Sequence, residues 1–466
     1  AFLCLFYILI IAVYFFVSPA EQHMPINPLL IQRQQRFTDS RFPRALLSLG
    51  LLWLVFCQSL NAQPWPATEP ATDLQRVDAA VTQLIRTQLP SGLFPYDYNF
   101  YDGAVTSMDA IDGINLVRQT VAIFGISEYI ATSGDTSAVP TLIKFLENAQ
   151  SESLPISKGF IQRRLEQFGL YNRWQLWQSW RAPLYRMGLL FKTEGEAKLV
   201  ALYQDYELAW PGATALSLIA ALKYRTVTGD QRFDPIIHAW KDGLLALWVP
   251  GRGLREAPHY LSESPYVNGE AWLALAEYLR VFPEQHTLNG MLAQFEQHLF
   301  NHYAEHLDLR FYHWGSMAAA ERAAATNEQK YTDFLYRLSL NYINEEGAKT
   351  PPRGNSCASL EGLTTFIGTM QQQDRGQEPL VLQAKEFVTH AMVYNRALQV
   401  DEHFIAGLAD HTQHREVLKR HRGAFVESPE RPVMQIDYTG HCINAMLRLI
   451  ALSTSKQQGL SENDVR

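Results

Sequence analysis

The chain predicts an all-α protein assembled from repeated helical hairpins, and two observations carry that prediction. Three stretches say nearly the same thing: Asn115 through Asp135, Pro211 through Asp230, and Asn268 through Tyr278. Each is a helix-forming run rich in small residues that closes at a turn, twice at Gly-Asp. After each stop comes a second amphipathic segment, Pro140–Gln150, Asp234–Trp248 and Thr287–Tyr303, so the repeating unit is a helix pair. Gly134 and Gly229 lie 95 residues apart, about two units of the length usual for two-helix repeats.

Composition agrees with one large domain. With 466 residues, 47% of them hydrophobic, the chain can bury a sizeable core. Its formal net charge of −7 offers no basic field, so no nucleic-acid partner is expected.

Residues 1–62 read as a leader and 63–466 as a single domain. Phe2–Val17 and Ala45–Phe56 are apolar runs, separated by a segment carrying Arg33, Arg36, Arg41 and Arg44. The second run, followed by Ser59-Leu-Asn-Ala62, has the n-region, h-region and small-residue cleavage site of a secretory signal peptide. Because Met24 precedes that signal and the chain opens on Ala1, residues 1–23 read as upstream sequence from a mistaken start. The competing reading is a pair of transmembrane helices with the arginine loop in the cytoplasm. Either reading exports the domain, to the periplasm or outside the inner membrane on an anchor, and confines membrane contact to the N-terminal segment.

From Thr72 the organisation is helical. Asp73–Leu89 repeats apolar residues at Val77, Ala80, Val81, Leu84 and Ile85, an outer-layer stripe. Pro90–Asp102 is too rich in turn-formers and aromatics for a helix and reads as an ordered loop leading to a helix near Ile114. The Gly188–Tyr203 connection carries a β-hairpin pattern around Glu194-Gly195. The insert Ile156–Arg186 sets Trp174, Trp177 and Trp180 among arginines, which suits either a packing helix or a sugar-stacking surface. His411, His414 and His421 sit among basic residues and read as a solvated turn.

Cys357 and Cys442 each open a small-residue helix, and two adjacent helices of like orientation would bring them together. Sequence leaves a disulfide and two free thiols equally open. A zinc site using Cys357, His441 and Cys442 lacks a close-spaced cysteine pair, and no metal or cofactor is expected.

Chemistry is sought at the starts of the small-residue helices, because in a ring of hairpins those ends converge on one central cavity. Asp109, Asp112, Asn115 and Arg118 stand at the first start, Tyr266 and Glu270 at another, Glu361 at a later one, and Asp437 and His441 at the last. Asp437 and His441 are four apart and share a helix face. Any one of these carboxylates alone is what helix capping favours; five at inner-helix starts also supply the acid and base that glycosidic cleavage needs. The sequence has no Gly-x-Ser-x-Gly elbow, phosphate loop or His-Glu-x-x-His helix, which removes those catalytic classes.

Asn115-Leu-Val-Arg-Gln, Thr-Gly-Asp at 228–230, Tyr266-Val-Asn-Gly-Glu-Ala, Glu361-Gly-Leu and Ile436-Asp-Tyr-Thr-Gly-His441 resemble bacterial exported proteins of the six-hairpin glycosidase-like group. The resemblance spans roughly Asp73–Leu452 and implies an (α/α)6 toroid, a fold shared by unsaturated uronyl hydrolases, sugar epimerases and lanthionine cyclases. Together with the residues, it leads to an expected carbohydrate-active protein acting on an anionic, uronate-containing glycan. Glu270 with Asp109 or Asp112 would supply acid/base hydrolysis or epimerisation, and Arg118, Tyr266, Asn115, Glu361, Asp437 and His441 would hold the substrate. The rival expectation is a non-catalytic glycan- or peptide-binding protein of the cell envelope.

Overall fold

A computed structural model describes residues 71–106, 115–167, 187–260, 262–346, 354–407 and 415–463. In chain order the helices are α1 (Asp73–Thr87), α2 (Leu116–Ser133), α3 (Val139–Ser151), α4 (Phe160–Gln167), α5 (Pro211–Thr228), α6 (Asp234–Leu247), α7 (Pro265–Val281) and α8 (His286–Tyr303). They continue as α9 (Leu309–Thr326), α10 (Gln329–Glu346), α11 (Cys357–Gln372), α12 (Pro379–Ala397), α13 (Glu402–Gly407), α14 (Arg415–Arg420) and α15 (Ile436–Asn463).

Six of these pack into a closed ring in the order α2, α5, α7, α9, α11, α15 and back to α2. Their sequences explain why they are inside. In α5 nearly every residue from Pro211 to Leu222 is buried, and small side chains such as Ala213, Ala215, Ala220 and Ala221 let neighbouring helices approach on more than one side. Closure between α2 and α15 depends on a Gly125–Gly440 contact: a Cβ on Gly125 would stand 3.0 Å from the Gly440 carbonyl oxygen. The outer layer is α1, α3, α6, α8, α10 and α12, each against one or two inner helices. Their apolar stripes are narrower; α1 buries Val77, Ala80, Val81 and Leu84 and leaves its other face to solvent. Helices α2 and α5 end where sequence placed the stops, at Gly134 and Gly229, both left-handed with φ 71°.

Buried charges lock the ring. Lys223 of α5 reaches Glu128 of α2 at 3.1 Å and Glu277 of α7 at 2.9 Å. Arg322 meets Glu296 at 2.6 Å, and Glu296 also accepts from Tyr331 at 2.6 Å and from the Trp272 indole at 3.0 Å. The Cys357–Cys442 disulfide ties the start of α11 to α15 across a sequence separation of 85. That resolves the open cysteine question, and it removes both sulfurs from the zinc set considered with His441.

The strands β1 (Asp97–Asn99), β2 (Ser153–Pro155), β3 (Ser157–Lys158), β4 (Phe191–Lys192), β5 (Lys198–Val200) and β6 (Val433–Gln435) form three two-stranded sheets. The strands flanking Glu194-Gly195 do not pair with each other as a local hairpin would. β4 pairs with β3 and β5 with β2, so the connection before α5 is stitched to the end of α3. His421 also departs from the solvated turn expected of it: it is buried, stacked on Tyr98 at 5.5 Å, and burial lowers its pKa to about 4. The leader, Asp109 and Asp112, the tryptophans at 174, 177 and 180, and His411 and His414 lie outside the described residues. Among the described residues no helix is long and apolar enough to cross a membrane.

Candidate active site

The N-terminal turns of all six inner helices line one cavity of about 470 Å³. It is built from loop and helix together. Pairing of β1 with β6 sets Asp97 opposite Gln435, which carries Tyr96 and Gln435 to the mouth of α2. Asn115 caps that helix from a left-handed conformation and accepts from the Arg118 amide at 3.4 Å. The Arg118 guanidinium then lies over the Tyr96 ring at 5.6 Å, donates to Gln435 Oε1, and pairs with Asp437 Oδ2 at 3.6 Å. With its side chain 37% exposed, Arg118 retains a face toward solvent and toward any ligand in the cavity.

Glu270 stands in the cavity wall on α7, only 2% exposed, and its Oε2 has no hydrogen-bond partner. The carboxyl fits because α5 offers glycine there: a Cβ on Gly212 would collide with Glu270 Oε2. Burial in this wall pushes its pKa up to about 8, the nearby His441 charge pulling weakly the other way. At neutral pH the Glu270 carboxyl is therefore mainly protonated. Burial also raises Asp437, opposed by Arg118 and then His441, and its Oδ1 is buried without a partner.

His441, one turn after Asp437, donates from its Nδ1 to Glu361 Oε1 at 3.1 Å. Burial disfavours the imidazolium, but Glu361, Asp437 and Glu270 outweigh it, and the His441 pKa is raised. His313 of α9 sits edge-on to His441 with ring centroids 5.3 Å apart, and Trp314 closes the apolar side at 5.8 Å from His441. Burial first, then the His441 charge, drives the His313 pKa well below its ordinary value.

Of the residues expected from sequence, Asn115, Arg118, Tyr266, Glu270, Asp437 and His441 all line this cavity. Tyr266 forms the rim, 47% exposed. Glu361 is fully buried behind His441 and bears on the cavity through it rather than by lining it. His313, Trp314, Trp210 and Asn355 also line the cavity and were not anticipated. Asp308 caps α9 and could have signalled it, but that helix stops at Asn327 in a left-handed turn, without the Gly-Asp that marks α2 and α5.

This arrangement of six inner and six outer helices recurs in solved structures. The fold is the six-hairpin glycosidase-like (α/α)6 toroid. The GH76A alpha-1,6-mannanase of Salegentibacter sp. HEL1_6 superposes with a TM-score of 0.50 at 12% identity, over 81% of this chain and 99% of that one. A family 76 glycoside hydrolase from a bovine Bacteroides thetaiotaomicron strain gives 0.52 at 9% identity, over 82% of this chain and 78% of its own. An unsaturated glucuronyl hydrolase specific for heparin gives 0.50 at 10% identity, over 82% and 98%. No protein-family model matches the chain, and no curated protein matches it. At these identities the toroid neighbours share its fold alone.

Proposed function

We propose that the protein is carbohydrate-active and works on an anionic, uronate-containing glycan by carboxylate acid/base chemistry in the cavity at the N-terminal ends of the inner helices. The observation that carries this reading is Glu270: a buried carboxyl with an unpartnered oxygen on the wall of a cavity that Arg118 also lines. A carboxyl kept protonated near neutral pH is the general acid that glycosidic cleavage requires, and the reaction also needs an ionised partner. Asp437, held by Arg118, is the described candidate for that partner; Asp109 or Asp112, just upstream of α2, is the other. Arg118 supplies the charge-assisted contact that selects a uronate carboxylate, and Tyr266 at the rim offers a ring face to a sugar.

The neighbours supply context for this reading. One is a glucuronyl hydrolase specific for heparin, and an inactive double-aspartate variant of the mannanase holds alpha-1,6-mannotetrose. This sequence contains no two consecutive aspartates, so its chemistry would be arranged differently from that mannanase. That difference favours keeping the second reading, a glycan- or peptide-binding protein of the envelope using the same cavity. Export, through the N-terminal segment, belongs to both readings and is supported by the disulfide, a bond that persists in oxidising compartments.

The test is a screen of the full chain against acidic and neutral oligosaccharides, following both products and thermal stabilisation, with Glu270→Gln in parallel. Turnover of an acidic oligosaccharide that the variant loses establishes the enzyme. Stabilisation without turnover establishes the binder, and silence in both assays removes the carbohydrate reading.

A further inference from the structure

We propose that His313, Glu361 and His441 form a site for one divalent transition-metal ion, with Zn2+ the best match, in the wall of the N-terminal cavity. The inference concerns the same cavity but does not depend on a glycan, because metal binding is read without substrate.

Each residue comes from near the start of a different inner helix, α9, α11 and α15, and these three are consecutive in the ring. One donor atom from each lies within 4.8 Å of the other two. Zinc–nitrogen and zinc–oxygen bonds of about 2.0–2.2 Å place tetrahedral neighbours about 3.4 Å apart. Glu361 Oε1 and His441 Nδ1 already stand at 3.1 Å, so only the third ligand has to move in. Side-chain torsions of His313 supply a displacement of about 1 Å without moving the helix.

Two atoms in the cluster are buried with no hydrogen-bond partner, His313 Nε2 and Glu361 Oε2. Burying an unsatisfied polar group costs about 1–3 kcal/mol, and native proteins seldom place two in one cluster without a use for them. One cation shared by the three side chains accounts for the cluster's composition and for its lone pairs together.

The set, two imidazoles and a carboxylate, is that of catalytic zinc sites with three protein ligands and a remaining position for water or substrate. Here His313 and His441 line the cavity and Glu361 sits behind His441, so the site lies in the cavity wall. The same two-imidazole, one-carboxylate set also holds Fe2+ in non-haem iron sites, and imidazole with carboxylate suits Mn2+, so these ions are tested beside Zn2+. The two nearby sulfurs, Cys357 and Cys442, are consumed in the disulfide and add no thiolate. Asp437 stands one turn before His441 on the same helix, close to the proposed site. Metal binding would displace the proton that otherwise sits between His441 and Glu361.

The test uses the intact chain, stripped with EDTA and dialysed, then titrated with ZnCl2 by calorimetry, with bound metal counted by mass spectrometry. The expected result is one equivalent of Zn2+ held with sub-micromolar affinity. His313→Ala and Glu361→Gln should each weaken binding on the order of 100-fold. Should Glu361→Gln fail to fold, His313→Ala together with the visible spectrum of the Co2+-loaded wild type carries the decision; low-symmetry, intense bands that the variant lacks support the site. Binding that is equal in wild type and His313→Ala overturns the proposal, as does failure of the stripped wild type to take up Zn2+, Mn2+ or Fe2+, which would leave the cluster a hydrogen-bonded histidine–carboxylate pair.

Discussion

At the C-terminal end of the six-helix ring a cavity of about 500 Å³ is walled by Glu128, Lys223, Glu277 and Glu321; at the N-terminal end, one of about 470 Å³ is walled by Glu270, Asp437, Arg118 and His441. The residue types are alike and their use is opposite. At the first end Lys223 is shared by Glu128 and Glu277, and Arg280 meets Glu321 at 2.7 Å, so most charges are matched by protein. Exceptions remain there: Arg448 donates to the Met317 sulfur at 3.1 Å, and Thr365 Oγ1 and Glu321 Oε1, the latter in an ion pair only, lack a hydrogen bond. At the other end Glu270 Oε2, Asp437 Oδ1 and, just behind the wall, Glu361 Oε2 are buried without partners. Matched charge fixes a structure, whereas buried polar groups left unmatched around an open cavity are a cost to folding that a ligand can offset. That contrast is the physical reason to place function at the N-terminal end.

The comparison breaks most visibly at the structural end. Lys223→Met takes the shared cation from half-buried Glu128 and from buried Glu277, which keeps Arg280, and should cost about 2–3 kcal/mol in urea unfolding. A loss below about 1 kcal/mol would mean those charges are not a lock. Cys442→Ser, or reduction of the wild type, opens a bridge spanning 85 residues and should cost about 2–4 kcal/mol.

The opposite sign is expected at the functional end. Glu270 has a folded pKa of about 8, above the unfolded value, so the folded state holds a proton that the unfolded state has released. Its contribution to stability is present at low pH and lost as pH rises from about 4.3 to about 8. Among the described residues, Arg118, Glu256, Tyr266, His313, Asp437, Tyr438 and His441 are the other charged or titratable groups lining its cavity. Glu270→Gln should remove this slope and, near pH 8, stabilise the fold on the order of 1–3 kcal/mol in pH-dependent melts. Destabilisation by that variant at every pH would make Glu270 a structural residue. The smallest stability effect is expected for Arg118→Leu: its pair with Asp437 is partly exposed and should be worth less than about 1 kcal/mol. Its sharper consequence is selective loss of acidic over neutral ligands in the oligosaccharide screen.

Much of this was legible in the sequence, for reasons that also explain the gaps. The Gly-Asp stops announce left-handed helix caps, and the small-residue runs announce helices that pack closely, so α2, α5 and α7 could be read directly. Helix α9 carries the same small-residue pattern but stops at Asn327, and with the helix His313 went unread. Glu270, Asp437 and His441 could be nominated because inner-helix starts must converge; their unequal burial could not, since it depends on neighbours such as Gly212 that are distant in sequence. The pairing of β5 with β2 rather than β4 is likewise a tertiary choice, made where Ser153–Pro155 lies alongside the chain entering α5.

The protonated Glu270 carboxyl in the N-terminal cavity is the central feature of the site. The most direct measurement is the difference infrared titration of metal-stripped wild type against Glu270→Gln, following the protonated carboxyl band. The band should persist through about pH 7, be absent in the variant, and vanish around the folded pKa of about 8. A Glu270 carboxyl already ionised at about pH 5, near the ordinary range for glutamate, would contradict the account.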